Sequence, residues 1–243
     1  MRQDNADFTA IPADGLRFLR SLARNNDREW FTANRERYER TLLQPLRALV
    51  EEMDVRLADF APELTGSPRR SIFRIHRDIR FSNDKSPYKR HAAFLLYHRD
   101  VSAAGAAGRT MGAAGYYVHI QPGESFVGGG IYMPPPPVLR KLRDAIVNDP
   151  EELGRIVSDR AFKRRYGGLS EEGRLTRLPR GFQAHPATDS LLRHRSFTAW
   201  QMLDNDTVTS PSLPDELERA MRTLLPLVRW VNDILGFRAA SHR

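Results

Sequence analysis

The sequence contains no cysteine. Disulfides, thiolate metal sites and a cysteine nucleophile are therefore excluded. Lysine is scarce: of 38 basic residues only Lys85, Lys89, Lys141 and Lys163 are lysine, and the other 34 are arginine. No run approaches the roughly 18 apolar residues that a membrane-crossing helix needs, so no membrane association is expected. Residues 1–8 are polar, carry Asp4 and Asp7, and lack the apolar core of a secretory signal. A cytoplasmic protein is the expectation. No serine lies in a G-x-S-x-G elbow. No phosphate-binding or dinucleotide loop is present, since Gly128-Gly129-Gly130 has neither the spacing nor the strand-to-helix context. The seven histidines, His76, His91, His98, His119, His185, His194 and His242, form no metal-ligand spacing. His76, Asp78 and His119 are the one conceivable set. No metal and no specific cofactor is predicted.

What is present suits a globular chain. It has 243 residues, 40% of them hydrophobic and 28% charged, with a net charge of +8. Arginine excess of this kind is weak evidence for nucleic acid, because net charge predicts partners loosely. No helix-turn-helix, zinc-finger or RNP motif accompanies it. Lys85 and Lys89 stand close together in a chain that otherwise uses arginine, which hints that an ammonium group is wanted there.

Hydrophobic period divides the chain in three. Leu16, Phe18, Leu19 and Leu22 form a helical stripe, and Asn25-Asn26-Asp27 breaks it and offers an N-cap. Trp30 to Leu57 continues at spacings of three and four, with Pro45 expected to divide or kink that stretch. The middle reads as strands: Ser71–Phe81, Arg90–Tyr97, Gly115–Gln121 and Ser125–Met133, with a hairpin turn at Pro122-Gly123-Glu124. Val101 to Ala114, nearly all small residues, reads as a flexible loop. Helical period returns over Val138–Asn148, Glu151–Val157 and Leu213–Leu235, the last with Pro226 inside it, and Phe197–Leu203 reads as a fifth strand. Consecutive strands without intervening helices favour an antiparallel meander. The expected fold is α+β: an antiparallel sheet of four or five strands, packed with N-terminal and C-terminal helices. No segment has linker composition, so one domain over 1–243 is expected, with frayed ends at 1–8 and 238–243 and the loop at 101–114.

The segment Ser71 to Phe81 carries the chemistry. Read at period two, one face collects Phe73, Ile75, Ile79 and Phe81, with Arg77 as the exception. The other collects Arg74, His76, Asp78 and Arg80. The run Ser82 to Lys89 follows, dense in donors and acceptors. Turn chemistry explains its Ser, Asn, Asp and Pro but not Lys85, Tyr88 and Lys89. Guanidinium and ammonium groups gathered in this way suit carboxylate or phosphate. Asp78, Asp84 or His76 would act as acid or base. Arg74, Arg80, Ser82, Lys85, Tyr88 and Lys89 would bind ligand. Trp30, Asn34 and Tyr38 share a helix face, and Trp30 and Asn34 are further ligand-binding candidates. A solvated strand face and a structural ion-pair network are the competing readings.

The string from Arg77 to Lys89, Arg-Asp-Ile-Arg-Phe-Ser-Asn-Asp-Lys-Ser-Pro-Tyr-Lys, resembles the signature of a mostly bacterial family known only as domain of unknown function two-four-six-one. The resemblance extends to Asn25–Phe31, Gly115-Tyr116-Tyr117, Gly128-Gly129-Gly130, Leu178-Pro179-Arg180-Gly181-Phe182 and His185-Pro186. Asn83 stands where the family often has lysine, and the 101–114 loop looks like a local insertion. The resemblance implies a family and no mechanism. Three functional readings stay open: a binding or catalytic site for an anionic or phosphorylated small molecule on Arg74–Lys89, a nucleic-acid module using the same basic face with Tyr88 or Trp30 for stacking, and an interaction protein whose motif is a structural brace.

Overall fold

A computed structural model describes residues 8–80, 83–101 and 112–238. The expectations for Phe81, Ser82, most of the 101–114 loop and nearly all of both chain ends lie outside the described residues.

The N-terminal third is helical: α1 (Ala13–Arg24), α2 (Arg28–Ala33), α3 (Arg35–Tyr38) and α4 (Gln44–Phe60). Asp27 caps α2 by accepting from Trp30 N at 2.8 Å. Between α3 and α4 the helix widens to a π turn over Glu39–Leu43, where Gln44 N reaches back five residues to the Glu39 carbonyl. Pro45 has no N–H for the usual bond to Thr41, so the chain absorbs it by widening rather than breaking. The sheet follows: β1 (Leu64–Thr65), then α5 (Pro68–Ser71), β2 (Ala92–His98), β3 (Gly115–Ile120) and β4 (Ser125–Ile131). Next come α6 (Pro136–Asn148), α7 (Pro150–Ser158), α8 (Arg160–Tyr166), α9 (Asp189–Leu192), β5 (Phe197–Leu203), α10 (Asn205–Thr209) and α11 (Leu213–Leu235). The five strands are antiparallel in sequence order. The fold is α+β as expected. No helix of the described residues is long and apolar enough to cross a membrane.

One expected strand is corrected. Ser71–Phe81 does not form a regular strand: Ser71 ends α5, and the extended part holds only two isolated bridges, Ile72 with Phe94 and His76 with Tyr88. Four steps separate the bridges on one side and six on the other. The surplus residues lie between Tyr88 and Phe94 and break the ladder as a bulge does. The fifth strand is instead β1, whose two residues are too short to carry a period.

One face of the sheet is the core. Tyr116, Val118 and Ile120 of β3 are fully buried, and Tyr116 Oη donates to the Met221 carbonyl of α11 at 2.9 Å. The glycine triplet lets these layers close. A Cβ on Gly129 would lie 2.8 Å from the Tyr116 ring and 3.1 Å from Leu224 of α11. Gly130 has φ +115°, and a Cβ there would lie 1.9 Å from the Phe197 carbonyl oxygen. The close approach that the triplet permits is therefore made by the protein's own chain.

The other face stays open. Alternation turns Tyr117 and His119 of β3, Phe126 of β4 and Trp200 and Met202 of β5 away from the core. The first three are half-buried, and Trp200 and Met202 are about half exposed, at 47% and 51%.

Candidate functional site

The site is built where the bulged segment meets this open face. Asn26 fixes it from the N-terminal helices. Its Nδ2 donates to the Tyr88 carbonyl and its Oδ1 accepts from Tyr88 N, both at 3.0 Å. Phe31 stacks on the Tyr88 ring at 4.1 Å, and His76 packs beside both. Tyr88 is only 5% exposed, so its ring is closed to a stacking ligand. Trp30 and Tyr38 pack on Phe18, and the Asn34 amide donates to the Trp30 carbonyl. Among the described residues no hydrogen bond or ring contact joins Trp30 or Asn34 to the Arg74–Lys89 segment.

The charged row keeps its alternation without being a strand. Arg74, His76, Asp78 and Arg80 are exposed, and Ile75 is buried. Arg80 grips Asp78 through Nε at 2.9 Å and Nη2 at 2.7 Å. Arg77 donates to Asp84 and to Ser86 Oγ. Hydrogen bonds from Ser86, and then the Arg77 guanidinium, hold the Asp84 carboxyl well below the usual carboxylate range. A carboxylate so stabilised is a poor proton acceptor. Lys85 is exposed and donates Nζ to the Ile79 carbonyl at 3.0 Å. Ser82 lies outside the described residues.

Lys89 differs from these. It is half-buried, its Nζ lies 5.2 Å from the centre of the Phe73 ring, and among the described residues no carboxylate pairs with it. Burial lowers its pKa. The bulge sets Lys89 and His91 at the rim of the open face. The His91 ring lies 4.2 Å from that of His119. His119 contacts Tyr117 Oη through Nδ1 and Gln121 Oε1 through Nε2, each at 3.2 Å, and stacks on Phe126. The His91 pKa is pushed down to about 4, first by burial and then by the charges of His119, Lys89 and Arg77. Burial lowers His119 as well. Near neutral pH the site therefore holds one ammonium and two uncharged imidazoles, beside an aromatic floor that continues through Phe126 to Trp200 at 5.8 Å. Among the described residues no group of three or more His, Asp or Glu side chains is placed to hold a metal ion.

A broader cleft of about 1250 Å³ borders Trp200 between β5, α8 and α11. Its Arg165 is paired with Glu216 at 2.7 Å, as is Arg219 at 2.8 Å. Arg222 turns instead to Glu218. Charges so matched leave little excess for an ionic ligand.

A family model of conserved hypothetical proteins, DUF2461, matches residues 14–230. The chain belongs to that family. No curated protein and no solved structure matches it. Within this DUF2461 chain, Lys89 is marked in the sequence as an ammonium among arginines, and His119 only as a metal-ligand candidate. His91 and Phe126 carry no such mark, Tyr117 stands only in the family string Gly115-Tyr116-Tyr117, and Arg77 interrupts the alternation. The signal for Tyr117 and His119 was the period of β3 itself, which sets them opposite the core residues Tyr116, Val118 and Ile120. Nothing local marked His91, because its place depends on the bulge.

Proposed function

We propose that the open face of the sheet, where it meets the Arg74–Lys89 segment, binds an anionic ligand. Lys89 is the charged anchor, and His91, His119 and Tyr117 supply hydrogen-bonding groups around it. The observation that carries this reading is the half-buried Lys89 ammonium without a carboxylate partner among the described residues. A cation held away from water costs free energy unless an opposite charge joins it, and an anionic group here offsets that cost. Arg77, Asp78, Arg80 and Asp84 are already paired with one another, which supports a bracing role for them. The adjoining rings favour a ligand that joins its anion to a flat group, such as a nucleoside monophosphate.

The test is an NMR titration of the histidine rings with inorganic phosphate at low ionic strength. Phosphate beside Lys89 favours the protonated imidazole, so the His91 pKa must rise on binding. Lys89→Met must remove that response, and Lys163→Met, on α8, must leave it intact. A His91 signal that ignores millimolar phosphate would refute the reading.

A second reading, single-stranded nucleic acid, is favoured by the row of Tyr117, Phe126 and Trp200 across three neighbouring strands. Bases stack on such rings without sequence preference. This reading expects Trp200 fluorescence to be quenched by an oligonucleotide, with an affinity that falls steeply between two salt concentrations. A nucleoside monophosphate that binds as tightly as the oligonucleotide would decide for the small molecule.

A further inference from the structure

A second cleft, of about 290 Å³, opens near the ends of β4 and α6. It stands apart from the Lys89 site: Met133 and Pro134, which line it, follow β4 at the end opposite Phe126. Four arginines line it, Arg140, Arg143, Arg180 and Arg195, and among the described residues no acidic one does. Phe182 and three prolines close its walls. The segment Leu178–Phe182, singled out in the sequence and not used by the Lys89 site, supplies Arg180 and Phe182.

Arg143 is the unusual member. It is 8% exposed, so more than nine-tenths of it is buried. Its Nη2 donates to the His194 carbonyl at 3.0 Å, and among the described residues its Nε has no partner and no carboxylate pairs with it. Burial, and after it the charge of Arg195, lowers its pKa. Buried arginine is ordinarily paired, because an unpaired buried charge is costly. Arg180 and Arg195 are exposed and likewise form no ion pair among the described residues. Among the described residues Arg140 alone of the four is paired, with Asp144, which accepts from its Nε at 2.9 Å and 3.0 Å, while its guanidinium lies 4.6 Å from the centre of the Phe182 ring. Three guanidinium groups without counter-ions around one small cleft repel one another, and an anion between them relieves that repulsion.

We propose that this cleft is a second anion site, for a phosphate group, either free or as the end of a small phosphate monoester. Guanidinium groups bind the oxygens of such a group in pairs. A cleft of this size falls at the small end of ligand pockets and suits a phosphate with a short substituent against Phe182. The inference stands independently of the Lys89 reading.

The experiment is calorimetric titration of inorganic phosphate into full-length Lys89→Met protein, which silences the first site. One phosphate is expected to bind per chain. Arg143→Met in that background must abolish the binding. Because Arg143 is buried, Arg195→Gln serves as the variant that disturbs folding least, and it must weaken binding at least tenfold. Acetate in place of phosphate must bind more weakly, since it offers fewer oxygens to the three guanidinium groups, and acetate binding as tightly would overturn the assignment to phosphate. An absence of phosphate binding in the Lys89→Met protein, or binding unchanged by Arg195→Gln, would overturn the site itself. Neither result bears on the His91 response, because the cleft adjoins His194 and not His91, so the two proposals fail separately.

Discussion

Asn26 and Tyr88 lie 62 residues apart in sequence and close a two-way hydrogen bond, side-chain amide to backbone on both sides, at 3.0 Å each. The amide acts as a piece of neighbouring strand. It satisfies the Tyr88 backbone at the point where the ladder to His76 ends, and so fixes where Lys89 emerges. Two segments of the family resemblance, Asn25–Phe31 and Arg77–Lys89, are thus parts of one structure.

Replacing Asn26 by alanine leaves the Tyr88 N–H and carbonyl without their partners. Unmet polar groups at a buried position cost about 1–3 kcal/mol. At about 2–4 °C per kcal/mol for a chain of this size, Asn26→Ala is expected to lower the melting temperature by several degrees. Thermal unfolding followed by circular dichroism checks this. An unchanged midpoint would show that water replaces the amide freely.

His91 makes stability depend on pH in a definite direction. Its folded pKa is about 4, below its ordinary 6.5, with burial the largest cause. As the pH falls below 6.5 the unfolded chain takes up this proton before the folded one does. The stability that the neutral ring contributes is complete above about 6.5 and is lost as the pH falls towards 4. The melting temperature is expected to drop between pH 7 and pH 5, and to drop less in His91→Gln. Equal drops in the two proteins would mean that His91 is not held neutral by its surroundings.

Gly130 and Gly123 separate two costs of adding a side chain. Both have positive φ, +115° and +81°. A Cβ at Gly123, in the hairpin turn, meets nothing within 4 Å, whereas at Gly130 it would collide with the Phe197 carbonyl. Gly123→Ala is expected to cost about 1 kcal/mol from backbone strain alone. Gly130→Ala adds overpacking, for a total of about 3 kcal/mol or more. Urea unfolding of the two variants measures the difference, and equal midpoints would contradict the close packing of β4 on β5.

The sequence by itself determined most of the elements. The stripe of α1, the full span of α11, the Asp27 cap and four of the five strands follow from period, capping and turn chemistry, because those forces act between residues near one another in the chain. It also directed attention to Lys89, since an ammonium stood out in a chain of arginines. Tertiary structure decided what the charges do. Asp78 finds Arg80 only two residues away, but whether Tyr88 stacks on a base or on Phe31 depends on which distant groups arrive beside it. The bulge between Tyr88 and Phe94 turned an expected strand into a bent segment and brought His91 to His119, and its register is set by pairing with β3. Arg143 had no distinguishing neighbour along the chain. Its burial without a counter-charge arises only when α6 and the segments around Phe182 and Arg195 pack together, because burial is a property of the assembled chain.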